Sequence, residues 1–215
     1  MTTPEPEAPT RVSILARLIP ALSYTLPALG AAVSALLFIG VMQAMRNAES
    51  AGIAAVAAGM TEANVAVVIA LYLAVFVGLI GVIIGLVRTF STTTTSSPSG
   101  WFFLVAGIIG FAPMLALWRA ESLLLDVLTL RSGPGVVSVA NQISMCLMLT
   151  IGIAAVGILI LLVASVIPLP AVLRAKQKWA PLIFLVIMEL ALIGMTIAYH
   201  VRTSWFYQAR FSERF

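Results

Sequence analysis

Glu189 is the residue whose setting most demands chemistry. In PLIFLVIMELALIGMTIAYH it follows eight residues that are all apolar or proline. An acid at the centre of a membrane span costs about 2.5–3.5 kcal/mol on insertion scales, so it must face a polar partner or a water-filled cavity. Two readings are open: a proton or cation site, or a neutral acid that donates a hydrogen bond to a neighbouring helix. Further charges gather as Arg119, Glu121 and Asp126, and as Arg46, Glu49 and Glu62. They read as solvated or locally paired interfacial charges, or as a charged vestibule at a pore mouth. His200 is the single histidine and Cys146 the single cysteine. A metal site needs three or four ligands of the right type, which leaves only a haem shared between protomers through His200. Cys146 cannot form an intrachain disulfide. No serine–histidine–acid set, P-loop or dinucleotide fingerprint is present. No cofactor, metal or enzymatic activity is expected.

The elements that must position these residues follow from composition. Of 215 residues, 61% are hydrophobic and 9% charged, against about 25% charged in soluble domains. The mean hydropathy is +1.11. Lipid must cover much of such a surface. Apolar stretches run over about 19–45, 63–87, 101–118, 139–167 and 181–201. A span needs roughly 20 apolar residues, and no water is present in the bilayer core to bond free backbone groups, so each stretch is expected to be helical. The fold class is all-α: a polytopic membrane bundle of about five transmembrane helices. The third stretch is the shortest, and its helix continues through RAESLLLDVL as an amphipathic extension. Trp101, Trp118, Trp179 and Trp205 fall at the expected helix ends, where an aromatic belt meets the headgroups.

The net charge of +4 reflects Arg and Lys at helix ends that meet lipid headgroups; no basic cluster interleaved with aromatics suggests nucleic acid. The Pro-rich, acidic start reads as a disordered tail over 1–18. The first apolar stretch reads as a retained span, since no cleavage site is clear. Lys and Arg counts on the two sides tie. The dense Arg174, Lys176, Lys178 link and the Arg11, Arg17 pair favour a cytoplasmic N-terminus in a bacterial inner membrane.

The chain reads as duplicated. MRNAES follows the first stretch and WRAES the third, each leading through a short connection into another long apolar helix. The organisation is then a hairpin over 19–90, a polar loop STTTTSSPSG over 91–100, a second hairpin over 101–168, and a fifth helix with a tail over 169–215. Parallel repeats of this kind build membrane bundles. Chance similarity between Ala/Val-rich segments is the competing explanation. Ala74, Gly78, Gly81 and Gly85 line one face of the second helix, a spacing that lets backbones approach closely, within one chain or between subunits.

The first hairpin, LPALGAAVSALLFIGVMQAM followed by AGIAAVAAGMTEANVAVVIALYLAVFVGLIGVI, resembles the core of the TolQ/ExbB/MotA proton-channel family. That family pairs a helix of type P-x-LGLLGTV with one of type G-[IM]-x-EAL-x-x-TA-x-GL-x-x-A. Pro27, Leu29 and Gly30 match the first, with Ser34 at the threonine position; Gly59, Met60, Glu62, Ala63 and Leu71 match the second. In the second hairpin AGIIGFA resembles the glycine run, and LMLTIGI puts Thr150 at the threonine position. Val67 stands where the family has its pore threonine, and the family's long cytoplasmic domain does not precede the hairpin. The resemblance implies a proton-channel-like subunit of an ion-driven energy-transducing complex. It would be a homo-oligomer, or would join other membrane subunits, including a single-helix partner. Ser34 and Thr150 would line the pore and Glu62 its mouth. An accessory subunit without transport, and a small solute transporter with Glu189 as its coupling acid, are the other readings.

Overall fold

The computed structural model describes residues 11–47, 53–90, 100–129, 136–166 and 179–212. They form α1 (Arg11–Asn47), α2 (Ile53–Phe90), α3 (Gly100–Thr129), α4 (Val136–Val166) and α5 (Trp179–Ser212). All 5 contain a stretch long and apolar enough to cross a membrane. The chain is an all-α polytopic membrane bundle, as its composition requires. The helices overrun the apolar stretches at several ends. Residues 11–18, read from the sequence as tail, belong to α1. The RAESLLLDVL segment continues α3 to Thr129, and α5 extends to Ser212. Residues 1–10 and 91–99, the rest of the tail and most of the polar loop, lie outside the described residues.

α1 packs on α2, α3 and α4, while α5 packs on α2 and α3. The helices α1, α2, α5 and α3 thus close a ring, with α4 lying outside it across α1 and α3. The sequence predicts α5 at the side of two hairpins. Instead it stands between α2 and α3, the place that α2 would take on α3 if the two hairpins packed equivalently.

The interior mixes large side chains such as Phe38, Leu117 and Tyr199 with many small ones. Large apolar side chains such as Leu36, Phe76, Leu159 and Leu190 point outward, while Ala28, Ala31, Ala35 and Ala74 are fully buried. Lipid is as apolar as leucine, so burying leucine gains nothing; close backbone packing and polar contacts hold such a bundle instead. Gly30 shows the first effect: an added Cβ there would overlap the Ala70 Cβ and lie 3.2 Å from the Ala66 carbonyl oxygen. Gly110 shows it between α3 and α1, where a Cβ would lie 2.8 Å from the Tyr24 carbonyl oxygen.

Candidate functional site

These close contacts fix the register of the helices, and the register gathers the buried polar residues at two levels. The first level centres on Glu189, which is 5% exposed and has Oε1 buried without a hydrogen-bond partner. The side chain lies on α2 at Gly78: Glu189 Oε2 crowds the point where a Cβ on Gly78 would stand, and Ser23 Oγ of α1 is 3.0 Å from that point. Ser23 Oγ donates to the Ala74 carbonyl at 3.0 Å. Tyr24 of α1 is buried too, near enough to Glu189 to interact with it electrostatically. On the far side of α5, Met188 fills the space over Gly107 of α3. Small residues at 74, 78 and 107 thus make room for α5 to bring a carboxyl into the bundle.

The sequence reading assigned Ala74, Gly78, Gly81 and Gly85 to one packing face of α2. Ala74, Gly78 and Gly81 are buried and Gly85 half-buried. Within the chain a Cβ on Gly81 would meet Ile19 at 3.4 Å and one on Gly85 would meet Leu182 at 3.3 Å.

The second level lies toward the C-terminal ends of α1, α3 and α5. Thirteen residues of α5 separate Glu189 from Arg202, about 20 Å at the α-helical rise. Glu121 of α3 is fully buried, and its Oε2 stands 2.7 Å from Arg202 Nε. The N–H does not align with a lone pair, so this is an ion-pair contact rather than a directed hydrogen bond. Arg202 Nη2 donates to Ser122 Oγ at 3.2 Å and reaches toward the Trp118 carbonyl at 3.5 Å. The guanidinium lies 4.0 Å from the centroid of the Trp118 ring, which meets the Tyr199 ring edge to face at 5.2 Å. Tyr199 Oη donates to the Met114 carbonyl at 2.8 Å. Asn64 of α2 is fully buried beside Glu121, and neither end of its amide closes a well-formed hydrogen bond.

Glu121, read from the sequence within a group of solvated or locally paired charges, is buried and paired across helices with Arg202 of α5. Trp118 is half-buried beside that pair. The signal was present in the spacing. Glu189, Leu192, Thr196, Tyr199, Arg202 and Phe206 recur at three- and four-residue intervals, so one stripe of α5 carries the buried polar groups among its described side chains. Arg119 and Asp126, on the same helix as Glu121, do face outward.

The residues singled out by the family resemblance are dispersed. Ser34 is fully buried and its Oγ has no partner. Gly30 meets Val67 and Gly59 meets Val41, and between these contacts Ser34 falls opposite the turn of α2 that carries Asn64. Thr150 is buried on α4, but its hydroxyl donates to the Cys146 carbonyl of its own helix at 2.8 Å, a common habit of membrane Ser and Thr. Glu62 is exposed. His200 is exposed too, edge-on to Tyr72, at the rim of a groove of about 460 Å³ between α2 and α5. The hydroxyls lining that groove at Thr61, Thr203 and Ser204 are each bonded to their own helix.

The Tyr199 contact separates ring from hydroxyl. The Met114 carbonyl also serves the backbone ladder of α3, so Tyr199→Phe strands no buried group. Its expected cost is about 0.6 kcal/mol, the average for interhelical hydrogen bonds in membranes. Tyr199→Ala empties a fully buried site and is expected to cost about 3–5 kcal/mol. Unfolding in mixed detergent micelles measures both; equal losses would mean that the hydroxyl, not the ring, holds α5. No protein-family profile, no curated protein and no solved structure matches this chain.

Proposed function

We propose that this chain is a proton-handling subunit of an ion-driven membrane complex, in which Glu189 takes up and releases the proton. The observation that carries the reading is the Glu189 carboxyl, buried deep in α5 with Oε1 unpartnered. Glu121, the other buried acid among the described residues, is answered by Arg202 at 2.7 Å, and the Tyr199 hydroxyl is seated on Met114. The resemblance to the TolQ/ExbB/MotA proton channels supports the same class of function through Ser34, whose buried hydroxyl needs a water or a polar neighbour. Thr150 lends it less, since its hydroxyl is occupied by Cys146, and Glu62 lends less again, being exposed. The partners in this reading are further copies of the chain or other membrane subunits, including one with a single helix.

A second reading, an accessory subunit without transport, is favoured by one observation. Leu71, Met114 and Leu192 are all fully buried in the bundle interior between the two polar levels, and Thr196 beside them is bonded to its own helix. In that reading the Glu121–Arg202 pair and the small-residue faces serve assembly alone.

Proton flux distinguishes the two. In membranes from cells making the chain with its native partners, followed with an entrapped pH dye, Glu189→Gln is expected to reduce flux about a hundredfold, the lower end of what a positioned proton-transfer group contributes. Glu189→Asp keeps part of it, Ser34→Ala reduces it, and Thr150→Val leaves it unchanged. Flux that persists in Glu189→Gln removes the acid from the pathway. Absence of flux in the wild type selects the accessory reading.

A further inference from the structure

We propose that the Glu189 level is a binding site for a dehydrated monovalent cation of sodium size, held by oxygens from α1 and α5 over the small residues of α2. It shares with the function proposed above only the ionisable centre, Glu189, and does not depend on protons being the ion carried.

The site is rich in acceptors and poor in donors. Glu189 contributes two carboxylate oxygens, with Oε1 unpartnered. Ser23 Oγ shares the Gly78 cradle with Glu189 Oε2, and its one proton goes to the Ala74 carbonyl. A further oxygen comes from a backbone interruption. Pro27 lies inside α1 and has no N–H, so the carbonyl four residues earlier loses its helical partner. That carbonyl belongs to Ser23. Ser23 therefore brings a hydroxyl and a freed carbonyl to the level of the buried carboxyl.

Glu189 Oε1 has no hydrogen-bond donor even with the Tyr24 hydroxyl nearby, so it is left to a proton or a cation. Hard cations take oxygen ligands of this kind, and interrupted membrane helices present freed carbonyls to sodium. Charge selects a monovalent ion, since one carboxylate and one such ion leave no net charge in the bilayer interior, whereas a divalent ion would. Glu189 packs directly on Gly78, so the ion must enter without its hydration shell, which favours a small one. Tyr24 is the titratable group of α1 near enough to Glu189 to interact with it electrostatically; α2 brings Ala74 and Gly78 to this level and α3 brings Gly107. Proton and cation therefore compete for a single carboxylate, and binding weakens as pH falls through its titration.

The test is equilibrium binding of radioactive sodium to the purified full chain in lipid nanodiscs, with potassium and choline as competitors and pH varied. Binding is expected to be saturable, stoichiometric with the chain, lost at low pH and absent in Glu189→Gln. Ser23→Ala is expected to weaken it about tenfold, the low end of what loss of a supporting group costs a metal site. Pro27→Ala, which returns an N–H donor to the Ser23 carbonyl, weakens it as well. Thermal unfolding of each variant identifies any that fails to fold, and Ser23→Ala, which removes a single oxygen, keeps the test open if Pro27→Ala does. No saturable binding to folded wild type at high pH, binding that survives Glu189→Gln, or potassium competing as well as sodium would overturn the site. Proton flux without sodium binding leaves the proposed function standing and removes this inference. Sodium binding without flux of either ion does the reverse.

Discussion

Arg202→Met is expected to destabilise the bundle by about 3–5 kcal/mol, the cost of leaving one partner of a buried ion pair uncompensated. Glu121 is fully buried and Arg202 stands 2.7 Å from it. Without the guanidinium, the carboxyl remains among Tyr199, Asn64 and apolar side chains with no cation to face. The same change removes the stacking on Trp118 at 4.0 Å, worth about 2 kcal/mol when desolvated. The double variant Glu121→Leu/Arg202→Met is expected to recover most of the loss, because apolar side chains of similar volume often replace a buried pair at little cost. The measurement is a double-mutant cycle of unfolding free energies in mixed micelles. A single variant within about 1 kcal/mol of wild type would mean that the pair is relaxed by water rather than holding α3 to α5.

Gly30→Ala is expected to destabilise the bundle by about 1–3 kcal/mol through overpacking. The new methyl would overlap the Ala70 Cβ and lie 3.2 Å from the Ala66 carbonyl oxygen and 3.3 Å from the Val67 Cα. The last two are backbone atoms of a helix, which cannot rotate away as a side-chain tip can, so α1 and α2 must separate. Gly194→Ala provides the control, since a Cβ there meets nothing within 4 Å. It is expected to be neutral or stabilising by up to about 1 kcal/mol from helix propensity. Parallel unfolding curves decide the matter: equal behaviour of the two variants would show that close approach at Gly30 contributes no stability.

The five helices were legible because lipid leaves the backbone no alternative, and long apolar stretches are conspicuous. Their ends were less so: residues 11–18 are polar enough to resemble a tail, yet they continue α1, whereas the amphipathic pattern of RAESLLLDVL did mark the extension of α3. The neighbours of α5 were not legible. α2 presents Leu73, Phe76, Leu79 and Ile83 outward, and on hydropathy alone those faces are as suitable for packing as the one that meets α5. Glu189 stood out because everything around it in sequence is apolar. Glu121 and Arg202 did not, because each lies near the end of an apolar stretch, where hydropathy assigns charge to the interface. Only the shared stripe with Glu189 and Tyr199 marks Arg202 as inward, and nothing local to Glu121 names a partner so distant in the chain. Ser34 was reached through a family resemblance, and Thr150 by the same route; the difference between an unpartnered and an occupied hydroxyl lies in side-chain geometry that spacing does not encode.

The Glu121–Arg202 pair also sets a condition on biogenesis. Arg202 follows Ser122, its other contact, by 80 residues, and ribosomes add roughly 5–20 residues per second. For about 4–16 s a nascent chain therefore carries the acid of α3 into the membrane before the base that answers it has been made. During that interval α3 is poorly suited to leave the insertion machinery for lipid. The buried pair that joins α3 to α5 is therefore completed only when the last helix has been made.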